Sequence, residues 1–402
     1  MERIRAELLT ISFAFRVAAP ALNLSLIYVF TNFFGIEGYG EFIVLYSYIY
    51  IGSIAGSLGA ELVLPKILSS TQLDVNTVFV SWFKATFVLN MIISVVMAVI
   101  CALSLELRNK DIIYIAILIS CWSNLMAFAK ISYKNRPLLA SFLDGVAVPI
   151  GLVVFASVSL LSGKSLSYLE ITYYPIFLIV TILLFINWKK LRTVKTTPIV
   201  VTDYFHLMAI PLISLAAPYI LNIILQSSSI SFEDIGYSSV ILKFSGLVLM
   251  PMTLLNPLWV HRFASDDESL NKSKRTYTAM ASGLSLTVML LLAILKAKTN
   301  LIPINEDFTM IFWLILLMNL LFVFIGPLGL IMSVRGMESK VLKATLAKLA
   351  LQGVGVYIMI SWFTIDIALF VFVFLSLFTQ GYLLLIYVRE KDSIHTVNTQ
   401  KR

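Results

Sequence analysis

Ala18-Ala19-Pro20-Ala21-Leu22-Asn23, in the first apolar run, and Ala216-Ala217-Pro218-Tyr219-Ile220-Leu221-Asn222, near the middle of the chain, carry one signature twice. Each is followed by a short polar break built on Gly-Tyr. The first is Ile36-Glu37-Gly38-Tyr39-Gly40 and the second is Asp234-Ile235-Gly236-Tyr237-Ser238. Pro20 is offset from Pro218 by the same spacing as Gly38 from Gly236, about half the chain. A matched proline and a matched loop at one offset indicate an internal duplication. Proline inside a helix removes one backbone hydrogen bond and crowds the preceding turn, so both helices are expected to bend there. In a bilayer a freed carbonyl needs another partner, which turns such bends toward protein or a wet cavity. Two kinked helices in matching places of two halves point to a central binding path. Kinks that serve only packing are the competing reading, and the prolines alone do not decide between them.

Composition sets the class. The chain has 402 residues, 59% hydrophobic and only 13% charged, and its mean hydropathy is +0.92. No soluble domain of this size has that balance, so the chain reads as an all-α integral membrane protein. About 20 apolar residues span the hydrocarbon core as a helix. On that measure twelve spans are expected, at roughly 8–32, 41–64, 78–103, 112–130, 137–161, 170–187, 204–226, 237–259, 276–295, 308–332, 343–361 and 366–388. The N-terminal run has a secretory look, with Arg3 and Arg5 before it and Ala18-Ala19 within it. It continues to about Phe30 and has a repeat partner around Pro218, so it is expected to belong to the fold.

Lys and Arg fix the expected orientation. One alternating set of loops, with both ends, carries Arg3, Arg5, Lys66, Lys130, Lys134, Arg136, Lys189, Lys190, Arg192, Arg262, Lys274, Arg275, Lys340, Lys343 and Arg389 among others. The other set carries only Arg108, Lys110, Lys164, Lys296 and Lys298. Both termini are therefore expected in the cytoplasm. The basic loops need no nucleic-acid partner, because topology and anionic lipid headgroups account for the net charge of +8. The stretch 188–203 is basic and poor in apolar residues, and it splits the spans six and six. The expected organisation is an N-terminal lobe over 1–187, a linker over 188–203, a C-terminal lobe over 204–388 and a cytoplasmic tail over 389–402. The first and seventh spans start on the same side. The two six-helix lobes are thus parallel repeats with a pseudo-two-fold axis along the membrane normal.

Four basic residues remain inside spans: Arg16, Lys84, Lys243 and Lys348. A charge at that depth is costly and usually faces the bundle interior or a wet cavity. Arg16 lies about one turn before Pro20 and roughly eight residues into its span, about 12 Å deep at about 1.5 Å per residue. Lys84, Lys243 and Lys348 lie nearer span ends, where a stem along apolar surface can carry the ammonium to the interface. Arg16, Lys84 and Lys243 are the lumen candidates. Asp144, in the fifth span, either couples an ion or forms a structural ion pair. Asn23, Asn90, Asn124, Asn222, Asn256 and Asn319 are spaced through the spans, where amides commonly join helices. Asn23 and Asn222 sit beside the kinks and are the best of them for a lumen contact. Gly52 and Gly56 read as a small-residue helix contact.

Enzyme signals are absent. There is no Walker-type glycine loop, no H-E-x-x-H and no G-x-S-x-G. Cys101 and Cys121 lie in or beside apolar runs, and the histidines His206, His261 and His395 are scattered. Neither a disulfide framework nor a metal site is expected, and no cofactor is implied.

Phe34-Gly35-Ile36-Glu37-Gly38-Tyr39-Gly40-Glu41-Phe42, then Ser57-Leu58-Gly59 and Pro65-Lys66, resembles the first-loop and second-helix pattern of bacterial polysaccharide transporters. These are the O-antigen (Wzx-type) flippases of the multidrug/oligosaccharidyl-lipid/polysaccharide exporter superfamily. Asp234-Ile235-Gly236-Tyr237-Ser238 resembles that family's matching loop in the second half. The resemblance implies a protein of the bacterial inner membrane that flips undecaprenyl-diphosphate-linked oligosaccharide from the cytoplasmic to the periplasmic leaflet. It implies alternating access between two lobes, with the lipid-linked oligosaccharide and membrane lipids as partners. The polymerase and chain-length proteins of the same pathway are further candidate partners. A lumen rich in Arg and Lys suits a diphosphate and acidic sugars. On this reading Arg16, Lys84 and Lys243 hold the anionic cargo, and Pro20 and Pro218 let the lobes rock. A drug/cation antiporter of the same fold would rely on Asp144. A membrane-embedded polymerase would want long outer loops, which are missing here. An acyltransferase would want a catalytic histidine, for which His206 with Asp203 is the available pair; a helix-capping role is the simpler reading.

Overall fold

The computed structural model describes residues 2–60, 63–64, 67, 74–132, 137–161, 167–192, 205–263, 267–298, 302–334 and 337–400. Among them there is no β-strand. The chain opens as one helical run, Glu2–Gly56, broken at Gly35, where φ is 74° and ψ is 172°. Glycine is the residue that adopts such a backbone without a Cβ penalty. The break divides the run into α1 (2–34) and α2 (36–56). There follow α3 (Val75–Ser104), α4 (Asn109–Ser132), α5 (Pro137–Gly145), α6 (Ala147–Leu161), α7 (Tyr168–Arg192), α8 (Phe205–Ser227) and α9 (Phe232–Gly246). A single 3₁₀ turn, Leu247–Leu249, leads to α10 (Met250–Phe263), α11 (Asp267–Lys298), α12 (Thr309–Ile325), α13 (Leu328–Val334), α14 (Glu338–Trp362) and α15 (Ile365–Gln400).

Among the described residues, each of the twelve expected spans falls largely on helix. Four of them are broken within the membrane length: the second leaves helix at the turn Ser57-Leu58-Gly59. The fifth divides into α5 and α6 at Val146, the eighth into α9 and α10, and the tenth into α12 and α13 at Gly326-Pro327. Among the described residues, eight helical stretches are long and apolar enough to cross a membrane, with α1 and α2 taken together from Ala18; Ala147–Ser159 and Tyr168–Leu183 are shorter apolar helices. The chain is a multi-pass, all-helical membrane protein. Most of the expected linker, 193–203, lies outside the described residues, as do Pro65 and Lys66. The expected tail continues α15 as helix to Gln400.

Packing divides the chain into two compact units, Met1–Gly236 and Tyr237–Arg402. The seventh span packs with the first unit. On α8, Asn222 Nδ2 donates to Ser47 Oγ of α2 at 3.0 Å, and Gln226 Nε2 donates to the Ser104 carbonyl at 2.9 Å. The two Gly-Tyr segments of the duplication meet here. A Cβ on Gly40 would overlap the Phe232 carbonyl oxygen, and a Cβ on Gly236 would overlap the carbonyl oxygen of Ile36. Beside them Phe30, Phe34, Tyr39, Phe42 and Tyr168 form an aromatic cluster, with Phe30 stacked on Phe42 at 4.1 Å.

Deeper in the unit a polar web joins α2, α3 and α4. Asn90 Nδ2 donates to the Gly56 carbonyl at 2.8 Å, Ser120 Oγ donates to Asn90 Oδ1 at 2.9 Å, and Ser123 Oγ donates to the Ser53 carbonyl at 3.0 Å. Gly52 and Gly56 do serve as a small-residue contact: side chains there would meet Ile119 and Ser123 of α4. In lipid, small residues let backbones approach and polar groups find partners across the gap. The second unit has its own core, with Trp259, Phe263, Tyr277, Leu328, Met332 and Tyr387 at its centre. Tyr277 is fixed there by donating to the Met252 carbonyl at 2.8 Å.

Gly40→Ala and Gly236→Ala should each destabilise the protein by at least about 1–3 kcal/mol, the usual cost of forcing atoms into a filled space. Gly246→Ala and Gly381→Ala, where a Cβ meets nothing within 4 Å, should be neutral or mildly stabilising. Tm values of the four purified variants test this; a wild-type Tm for Gly40→Ala would show that the two segments do not pack this way.

Candidate functional site

A cavity of about 320 Å³ lies inside the first unit, walled by α1, α2, α4, α5, α6 and α8. Local helix geometry places each wall. On α1, Ala19 and Asn23 stand four residues apart and flank Pro20. On α2, Tyr46 and Tyr50 share a face by the same spacing. On α4, Trp122, Met126 and Lys130 form one stripe. The break at Val146 separates α5 from α6, so that Leu143 and Gly145 line one side and Val148 and Pro149 another. Tyr219, next to Pro218, closes the α8 side.

Four aromatic rings dominate this space. Tyr46 and Tyr50 stack at 5.8 Å with their planes 11° apart. Trp122 meets both edge-on, at 5.2 and 5.4 Å, and Tyr219 lies 4.4 Å from Tyr50. Edge-to-face and offset contacts of this kind hold rings in fixed planes. Lys130, half-buried, lies two turns along α4 from Trp122, about 12 Å at 1.5 Å per residue. The described lining therefore offers flat apolar faces, phenolic hydroxyls, one amide and one ammonium, and no carboxylate. That mixture suits a ligand with rings to stack, hydroxyls to bond and negative charge to neutralise.

The sequence candidates fare differently. Asn23 lines the cavity and donates to the Ala19 carbonyl at 3.0 Å. Pro20 lies within α1 and Pro218 within α8, and both helices run on through them. Asn222 does not line the cavity; it is 4% exposed and is spent on Ser47. Lys84 is exposed on α3, on one face with Phe87, Val88, Met91, Ile92 and Val95. That apolar stripe suits lipid, along which a lysine stem can lie with its ammonium at the interface. Lys243 is half-buried on α9, in the second unit. Arg16 and Asp144 lie on α1 and α5; their side chains are outside the described ones, as is that of His206, while Asp203 is wholly outside. Arg16 precedes Ala19 and Asn23 by three and seven residues, which puts it in register with them on α1. Asp144 stands in sequence between the lining residues Leu143 and Gly145.

Sequence reading missed Tyr46, Tyr50, Trp122, Tyr219 and Lys130. The pair Tyr46 and Tyr50 at helical spacing was the available signal. Among the described residues no group of three His, Cys, Asp or Glu is placed to hold a metal ion, and Cys101 and Cys121 are unpaired thiols.

Fold and cavity together define a multi-pass helical membrane protein with an internal cavity in its first unit. No protein-family model matches the chain, and no curated protein matches it. Solved structures do. One is the inward-facing conformation of a multidrug resistance MATE family transporter of the MOP superfamily, at TM-score 0.63 and 13% identity, over 96% of this chain and 99% of that one. Another is MATE in complex with MaD3S, at TM-score 0.51 and 12% identity, over 96% and 97%. The chain shares their two-lobed, twelve-helix fold.

If the cavity is wet, Asn23→Cys and Met126→Cys, made in a background lacking Cys101 and Cys121, should react with a water-soluble maleimide. Val96→Cys, on the outward apolar face of α3, should not. Equal labelling at all three positions would deny a distinct aqueous space.

Proposed function

We propose that the protein is a flippase that moves an undecaprenyl-diphosphate-linked oligosaccharide from the cytoplasmic to the outer leaflet of a bacterial inner membrane by alternating access. The observation that carries this reading is the cavity lining: three Tyr rings and Trp122 around Asn23 and Lys130, with no carboxylate among the described lining residues. Aromatic faces match the apolar faces of sugar rings, and Lys130 supplies charge for a diphosphate or an acidic sugar. Arg16 joins Lys130 through its register with Ala19 and Asn23. Lys84 and Lys243 have no place in this cavity, so in the proposal the cargo is held by Arg16, Lys130 and the rings. Pro20 and Pro218 are the places where α1 and α8 yield. The polymerase and chain-length proteins of the same pathway would receive the flipped unit.

A second reading, a drug/cation antiporter, is favoured by the multidrug MATE structure with which the chain shares its fold. Aromatic rings also attract cations, and Asp144 between Leu143 and Gly145 would be the coupling acid.

In a strain lacking the gene, complete lipid-linked units should accumulate on the cytoplasmic face, protected from an impermeant glycosidase in right-side-out vesicles. Arg16→Ala, Lys130→Ala and Trp122→Ala should each lower export about tenfold or more at normal membrane levels, as loss of an anchor worth ~1.4 kcal/mol or more requires. Units found on the outer face but never joined would defeat the flippase reading. Loss of resistance to cationic dyes in Asp144→Asn, with export intact, would establish the antiporter instead.

A further inference from the structure

The second unit carries a cleft that the proposed transport path does not use. It lies between α14 and α15 and encloses about 690 Å³. Its α14 wall is a single helix face, with Lys340, Lys343, Lys348 and Leu351 in order. Its α15 wall presents Phe378, Tyr382 and Arg389. The helices are joined through Phe363 and Thr364 and run antiparallel. Arg389 therefore stands at the Lys340 end, and Phe378 at the Leu351 end. Over about 16 Å of helix the cleft passes from cations to apolar side chains. No carboxylate is among its described lining residues.

The pattern recurs across α15. A larger cleft of about 1080 Å³ has Lys274 and Arg275 at one end and Phe324 and Phe374 further along. The two clefts share Phe378. Lys274 Nζ lies 5.3 Å over the ring of Tyr387, which puts its charge at the Arg389 end. Leu351, Phe378 and Tyr382 are 53%, 59% and 50% exposed, so the first cleft opens outward from its unit.

We propose that the cleft between α14 and α15 is a binding site for an anionic phospholipid. Lys340, Lys343 and Arg389 take the phosphate, Lys348 takes a second anionic or hydroxylated headgroup oxygen, and an acyl chain lies along Leu351 and Phe378. Charge complementarity and the sided shape select this occupant, since the described lining carries Lys343, Lys348 and Arg389 beside Lys340 and no carboxylate, a set that an anionic headgroup matches and a neutral one does not. The outward opening selects a lipid that arrives laterally. The Lys and Arg asymmetry of the loops assigns this end to the cytoplasmic leaflet. The site is independent of what the protein transports.

Native mass spectrometry and thermal unfolding of the purified full chain test the proposal, with phosphatidylglycerol, cardiolipin and phosphatidylcholine as probes. The two anionic lipids should stay bound and raise Tm, and phosphatidylcholine should not. The triple variant Lys340→Ala/Lys343→Ala/Arg389→Ala should bind phosphatidylglycerol about a hundredfold more weakly, from roughly fivefold per lost charge. The corresponding Lys→Arg changes at 340 and 343 should keep binding, as should Lys110→Ala/Lys298→Ala on the opposite end. Should the triple variant fail to fold, the lipid comparison on the native chain still decides. Equal stabilisation by phosphatidylcholine overturns the proposal, because only apolar fit would then be at work. Unchanged affinity in a folded triple variant also overturns it. So does stabilisation by a polyprenyl diphosphate with none by phosphatidylglycerol, which would make the occupant a carrier lipid.

Discussion

Gly40 and the Phe232 carbonyl lie so close that no side-chain carbon fits between them, and Gly236 stands in the same relation to Ile36. The α8 side of the first unit leans on that approach. It holds the start of α9 against the turn between α1 and α2, and so it brings α8 alongside α2. Asn222 can then reach Ser47, and Tyr219 can reach Tyr46 and Tyr50. The cavity exists because α8 is one of its walls. Had either glycine carried a methyl group, that wall would stand further out and the rings would lose their shared edges. Apolar burial does not discriminate between helix pairs in lipid, where the solvent is as apolar as the side chains. Close approach does, and the unit uses it repeatedly: at Gly40, at Gly52 and Gly56 against α4, at Gly145 against Ala19, and at Gly151 against Pro175.

Many of the polar groups follow a second rule, that a side chain in hydrocarbon finds a partner; Thr278 Oγ1, Ser282 Oγ and Gln352 Oε1 are exceptions. Along α1, Asn23, Ser25, Thr31 and Asn32 each donate to the carbonyl four residues earlier. Asn90 works differently: its amide accepts from Ser120 and donates to Gly56, so one side chain ties three helices. Asn319 does the same on a smaller scale, donating to the Ser245 carbonyl. Amides that bond within their own helix leave the space beside them available. Asn23, which does so, lines the cavity, whereas Asn222, which bonds across helices, does not.

That distinction marks where sequence reading stops. Hydropathy registers depth, because a bilayer demands a fixed length of apolar chain; the twelve spans and the matched loops were legible for that reason. It does not register azimuth. Tyr46 and Tyr50 look the same in sequence whether they face lipid, a neighbouring helix or a cavity. Lys84 and Lys130 illustrate this. Lys84 lies near a span end and reads equally as a lumen cation or as one whose stem runs along apolar surface; it rides on an exposed apolar stripe. Lys130 lies at a span end and was read as a loop cation, yet α4 continues to Ser132 and carries it on the stripe of Trp122. The breaks at Val146 and Gly326 were hidden by a different cause, since the apolar run continues across both.

The contact of Gly40 with Phe232 also has a consequence in time. A ribosome delivers the chain from its N-terminus, at about 5–20 residues per second. The turn between α1 and α2 is made early, but the segment that locks it arrives only after α3 to α8 have been synthesised. For on the order of ten seconds or more the first unit must sit in the membrane as an assembly with an open seam. The polar web of Asn90 and its serines closes α2, α3 and α4 during that interval without help from downstream residues. Nascent chains are thus expected to pass through a long-lived half-built state, the stage at which membrane chaperones or proteases would have their best access to this protein.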